Sequence, residues 1–124
     1  MKLAVLTTLI AIALPVPAFA ADWVLISNDE LWGKVYIDRQ SIRTMPNGYK
    51  RAWRKRDLTK VDDYGTIQSK VYDEYDCIQT RDRTLNMIIY KENGTLNTYN
   101  KISDWNYVAP ETKGETLLKF VCRK

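Results

Sequence analysis

The sequence predicts an α+β domain that is mainly β, in which a sheet is closed by a C-terminal helix and one disulfide holds the two together. Three observations carry this expectation. Stretches rich in Val, Ile, Tyr and Trp recur between turn signals. The apolar spacing becomes helical only near the C-terminus. Cys77 and Cys122 are the only cysteines in 124 residues.

The first twenty residues read as a secretory leader. Met1-Lys2 supplies a short positive start, Leu3 to Leu14 is apolar except for Thr7 and Thr8, and Pro15 and Pro17 precede Ala18-Phe19-Ala20. That small-x-small pattern predicts cleavage after Ala20, and the apolar run is too short to span a bilayer. The expected organisation is a signal peptide over 1–20 and a single domain over 21–124. No cysteine adjoins the cleavage site, so a lipid anchor is not expected. The expected locations are the periplasm, the outer cell surface or release from the cell.

Without the leader the formal charge falls from +4 to +3, because Lys2 is lost. This mild excess does not suit a dedicated nucleic-acid binder. In an oxidising compartment an even cysteine count reads as a disulfide, and two cysteines allow one intramolecular bridge, Cys77 to Cys122. Closing so long a loop stabilises by about 4 kcal/mol in the chain-entropy account.

Along the chain, "DWVLIS" (22–27) and "GKVYID" (33–38) read as strands around the turn at Asn28-Asp29-Glu30, and "RQSIR" (39–43) as a short helical turn. Asn47-Gly48 marks a hairpin leading into the charged strand "YKRAWRKRDL" (49–58). A polar loop with Asp62-Asp63 precedes the strand "TIQSKVYDEYDC" (66–77), and Thr84 to Tyr90 forms another. Asn93-Gly94 turns the chain back through "TLNTYNKI" (95–102). From Glu115 to Lys124, Leu117, Leu118, Val121 and Cys122 fall on one helical face, with Pro110 and Thr112 as start signals. A helix this short is marginal alone, which gives the bridge from Cys122 to Cys77 its purpose.

Several chemistries lack their usual residues. There is no histidine, so the common acid–base, triad and zinc arrangements lose their main member. No glycine-rich phosphate loop occurs, and Asp62-Asp63 lacks EF-hand spacing. Neither a metal nor a cofactor is expected. Asp73, Glu74 and Asp76 sit on one strand, where alternation puts Glu74 and Asp76 on one face and Asp73 on the other. They read as a solvated strand face rather than as an acid pair, and the protein is expected not to be an enzyme.

Binding residues are easier to nominate. In "KRAWRKR", Arg51, Trp53 and Lys55 point one way while Lys50, Arg54 and Arg56 point the other. Arginine beside tryptophan is favoured at contact surfaces, and the competing reading is an edge strand defended by charge. Among four tryptophans and eight tyrosines, Trp32, Tyr64 and Trp105 fall in loop-like segments and are contact candidates. Trp23, Tyr36 and Trp53 read as sheet packing.

The order of these elements resembles the bacterial surface-adhesin protein E family. The resemblance rests on Trp23, "VYIDRQSI" (35–42), the strand around Trp53, "YDC" (75–77), the "Y…NGTL" hairpin and "W…VAPETKGETLLKFVC" (105–122). It implies an antiparallel sheet of about six strands with a disulfide-tethered C-terminal helix. It also implies exposure on or near a Gram-negative envelope and, for some members, adhesion to host matrix or plasma proteins.

The expected function is therefore an exported binding module with a protein ligand, as a monomer or an edge-paired homodimer. A second reading is polyanion binding, to glycosaminoglycan or lipopolysaccharide, through Arg51, Arg54, Lys55 and Arg56. A third is a periplasmic lysozyme inhibitor, disfavoured by the like charge of basic lysozymes.

Overall fold

Turn chemistry sets the strand order. The computed structural model describes residues 20–123, so the expected leader lies outside the described residues except for Ala20. Asn47-Gly48 joins β3 (Arg43–Thr44) to β4 (Lys50–Asp57), and Asn93-Gly94 joins β6 (Arg81–Lys91) to β7 (Leu96–Tyr99). The first hairpin, β1 (Trp23–Asp29) to β2 (Gly33–Asp38), turns through Gly33 at φ +81°. A Cβ at Gly33 would lie 2.0 Å from the carbonyl oxygen of Asp57, so only glycine lets the turn approach β4. A 3-10 turn at Arg39–Ser41, capped by Asp38, leads to β3.

β5 (Thr66–Asp76) fills the centre, and the antiparallel order is β1-β2-β4-β5-β6-β7. β3 adds to the start of β4, and β8 (Asn106–Tyr107) adds to the start of β6. The six-strand sheet and its antiparallel pairing match the expectation. Two boundaries differ. β6 begins at Arg81 rather than Thr84, because Arg81 and Arg83 find carboxylates across the ladder. β8 carries no strand signal of its own, and its two residues are extended by pairing with Arg81 and Asp82.

The helix α1 runs Lys113–Cys122, starting two residues before the expected Glu115. The Thr112 hydroxyl accepts the Glu115 amide hydrogen, and the Glu115 carboxylate accepts that of Glu111, which satisfies donors a helix start leaves free. Leu118 and Val121 are buried against Ile37, Ala52 and Tyr75. Each buried aliphatic side chain contributes about 1.5–3 kcal/mol. Ala52 at the centre lets the helix sit close to β4. The predicted disulfide is present: Cys77, just past β5, is bonded to Cys122 at the helix end.

Candidate binding face

Because α1 packs on one side of the sheet, the other side carries no helix among the described residues. Alternation along β4 sends Ala52 and Arg54 to the helix side and Arg51, Trp53 and Lys55 to the free side. The strand registers then assemble the free side into rows. Arg43 lies opposite Arg51, Arg51 opposite Glu74, and Glu74 opposite Arg83. The next row pairs Trp53 with Tyr72, whose rings stand 5.0 Å apart. The row after that runs Tyr36, Lys55, Lys70.

One buried carboxylate organises the arginine row. Glu74 is fully buried; one oxygen accepts from Arg51 Nε at 2.7 Å, and the other from Arg83 Nε and Nη2 at 3.0 and 2.6 Å. Trp105 covers this end, 4.3 Å from the guanidinium carbons of both Arg81 and Arg83, with Tyr49 edge-on to its indole. Arg81 is paired with Asp76. Burial works against the Asp76 charge, but the Gln79 amide, Arg81 and the Ile78 amide outweigh it and lower its pKa. In the lysine row, Lys55 Nζ lies 4.8 Å from the Trp23 ring and 4.6 Å from that of Tyr36, and Lys70 Nζ lies 5.2 Å from Tyr90. These are cation–π distances.

The structure divides the residues nominated from sequence among three places. Arg51, Trp53, Lys55 and Trp105 share the helix-free face. Arg54 and Arg56 lie on the helix side, where Arg54 is paired with Asp73 and Arg56 lies under Trp32. Trp32 and Tyr64 are exposed in loops at the sheet end remote from Trp105. The four-cation stripe Arg51, Arg54, Lys55, Arg56 is thus split between faces. Sequence reasoning passed over Arg43, Lys70 and Arg83. Strand alternation together with the register from the Asn47-Gly48 hairpin would have placed Arg43 beside Arg51; the β5–β6 pairing that brings Arg83 follows a register shift between Tyr72 and Asp73.

On the helix side, a cavity of about 530 Å³ lies between the start of α1 and the segment 103–106. Arg54, Asp73, Tyr75 and Asp82 line it. Burial, reinforced by the nearby Asp73 charge, raises the Asp82 pKa to about 6. Burial also pushes the Tyr75 phenol well above its ordinary range. Arg54 is desolvated too, yet the Asp73 charge raises its pKa and keeps it a cation. Glu74 and Asp76 share the free face and Asp73 the other, as alternation requires, and each is tied to an arginine. All three are buried, so this stretch is not the solvated strand face its charges predict; each carboxylate leaves water to meet an arginine.

The sequence profile of the family described as Surface-adhesin protein E matches residues 23–123. No curated protein matches the chain. Among solved structures, the chain is similar to Haemophilus influenzae protein E, with 16% identity, a TM-score of 0.60, and coverage of 82% of this chain and 83% of that one. A second crystal form of the same protein aligns with 15% identity and a TM-score of 0.57, covering 72% and 80%. At that identity the structures support the shared fold, while the profile spans almost all of the described residues. The chain belongs to the surface-adhesin protein E family.

Proposed function

We propose that this protein is an exported, non-enzymatic adhesin that holds a host or envelope protein against the helix-free face of its sheet. Family membership implies export, and no helix among the described residues is long and apolar enough to cross a membrane. One observation carries the choice of face. The Trp53–Tyr72 pair sits between two cationic rows, partly exposed, with no secondary-structure layer over it among the described residues. Rigid aromatics beside arginine are the residues that dominate binding energy at protein contacts. The carboxylates Asp73, Glu74 and Asp76, each committed to an arginine, support the non-enzymatic reading.

The test is binding of the mature, oxidised protein to immobilised matrix and plasma proteins at low and high salt. Saturable binding to one protein should survive salt and be lost in Trp53→Ala. It should persist in Trp32→Ala and Tyr64→Ala, which alter the remote loops. Loss in the loop variants alone would move the contact to the loop end, and no saturable binding to any protein would overturn the reading.

A further inference from the structure

The helix-free face breaks a rule of sheet electrostatics twice. Arg43 lies directly opposite Arg51, and Lys55 directly opposite Lys70. Like charges placed opposite one another weaken a sheet. Such local conflicts concentrate at functional sites. Both pairs lie on the same face, and the row between them is aromatic.

The charge is only partly compensated. In these three rows Arg43, Arg51, Arg83, Lys55 and Lys70 meet one carboxylate, Glu74, and Lys55 also reaches Asp57 beyond them, at 4.0 Å. Both Glu74 oxygens are already occupied, and Arg51 spends only its Nε on them. The Nη groups of Arg51 therefore stay available on a side chain that is 32% exposed. Arg43 is exposed and makes no ion pair among the described residues. A small cleft of about 160 Å³ opens between Arg43, Ser41 and the Trp53–Tyr72 pair.

We propose that this face binds an anionic polysaccharide, with a sugar ring on the Trp53–Tyr72 platform and its sulfate or carboxylate groups on the flanking cations. Rows two residues apart along a strand stand about 7 Å from each other. The arginine and lysine rows are thus about 14 Å apart, with the aromatic pair midway. A free inorganic ion would need convergent donors, whereas these cations are spread to either side of a platform. A single-stranded nucleic acid stacks successive bases on successive aromatics. Here one pair, with rings tilted 44° to each other, offers a single shallow seat. Guanidinium groups suit the planar or tetrahedral oxyanions that such a sugar chain carries. This site shares the face of the adhesin contact and stands whether or not the partner there is a protein.

Heparin oligosaccharide, titrated into the mature, oxidised protein at low and physiological salt, tests the proposal. Poly-glutamate, a thymidine oligonucleotide and inorganic sulfate serve as parallel probes. Arg43→Glu and Lys70→Glu should each lower heparin affinity about tenfold or more, since each reverses a charge beside the seated chain. Lys60→Glu makes the same change of net charge in an exposed loop and should shift affinity less than about twofold at physiological salt, where distant charges are screened. Heparin, but not inorganic sulfate, should change the tryptophan fluorescence, and Trp53→Phe should abolish that change. An equal loss in Lys60→Glu, or equal affinity for poly-glutamate or the oligonucleotide, would reduce the binding to general charge attraction and overturn the proposal. A chain that holds a matrix protein but no heparin overturns this inference alone. One that holds heparin but no protein overturns the adhesin reading alone.

Discussion

The two faces of this sheet come from the same strands yet are held in different ways. In β5, Val71 and Tyr75 are buried on the helix side, while Tyr72 and Glu74 serve the other side. The covered face is an apolar contact between Ile37, Ala52, Tyr75 and a ten-residue helix. The free face is a lattice of arginines, carboxylates and aromatic rings joined across strands. A packed face needs its covering layer. A face built from cross-strand ion pairs needs only the register, and so stays available to a partner.

The largest expected effect separates the faces by removing the cross-link. Replacing both Cys77 and Cys122 by Ser releases a helix too short to persist alone. The cost is about 4 kcal/mol, which for a domain of this size lowers the melting temperature by roughly 15–30 °C. Circular dichroism should show the helical signal melting ahead of the sheet. A melt that stays single and unchanged would mean that packing of Leu118 and Val121 suffices without the bridge.

Next in size is the charge that organises the free face. Glu74→Gln leaves Arg51 and Arg83 without their shared carboxylate. Breaking a buried pair costs about 3–5 kcal/mol, and because both arginines reach solvent a loss of about 2–3 kcal/mol is expected. The helix should melt with the rest of the domain in this variant. Asp76→Asn, at the sheet end, should cost less. If the two variants melt alike, Glu74 is not the centre of the lattice.

How much of this was legible beforehand follows from the range of the interactions. Turns are local, so Asn47-Gly48 and Asn93-Gly94 announced two hairpins, and helical spacing with Thr112 announced α1. The disulfide followed from a count of two. Alternation within β4 correctly separated Arg51, Trp53 and Lys55 from Arg54. The rows were not legible, because they depend on which residue of one strand faces which of the next. Arg83 meets Glu74 only through a ladder with a register shift between Tyr72 and Asp73. Asp82 carried no sequence signal at all; its character comes from burial beside Asp73.

Asp82 sharpens the comparison from the covered side, through pH. Its pKa rises from 3.8 to about 6 through burial and the Asp73 charge. Between pH 3.8 and about 6 the folded chain holds a proton that the unfolded chain has released, so stability falls as pH rises through that window. A shift of this size corresponds to up to ~3 kcal/mol, and solvent screening of a partly exposed carboxyl reduces it to about 1–2 kcal/mol. Asp82→Asn should therefore raise the melting temperature at pH 7 and leave it unchanged near pH 3. Asp29 acts in the opposite sense. Its hydrogen bond from Lys113 and the amides of Leu31 and Trp32 lower its pKa to about 2, so its contribution is present above pH 4 and lost as pH falls toward 2. Asp62 and Asp76, both also lowered, add to that acid limb. Melting temperature against pH should peak between about 4 and 6, and a curve that climbs steadily to neutral pH would count against the buried Asp82.

The smallest expected effect bears most directly on what the free face is for. Arg43 contributes no ion pair among the described residues and stands opposite Arg51, so removing its charge should relieve repulsion instead of breaking a contact. Arg43→Thr is expected to stabilise the domain by about 0.2–1 kcal/mol at low salt. Threonine also suits a strand position, a second source of gain, and salt distinguishes the two. Repulsion between exposed charges fades as ionic strength rises, whereas strand propensity does not depend on it. Melts of Arg43→Thr and the natural chain should converge in 1 M salt if repulsion is the cause, and stay apart if propensity is. Convergence would show that the fold holds Arg43 opposite Arg51 at a cost to its own stability, the cost that an anion bound at this row would relieve.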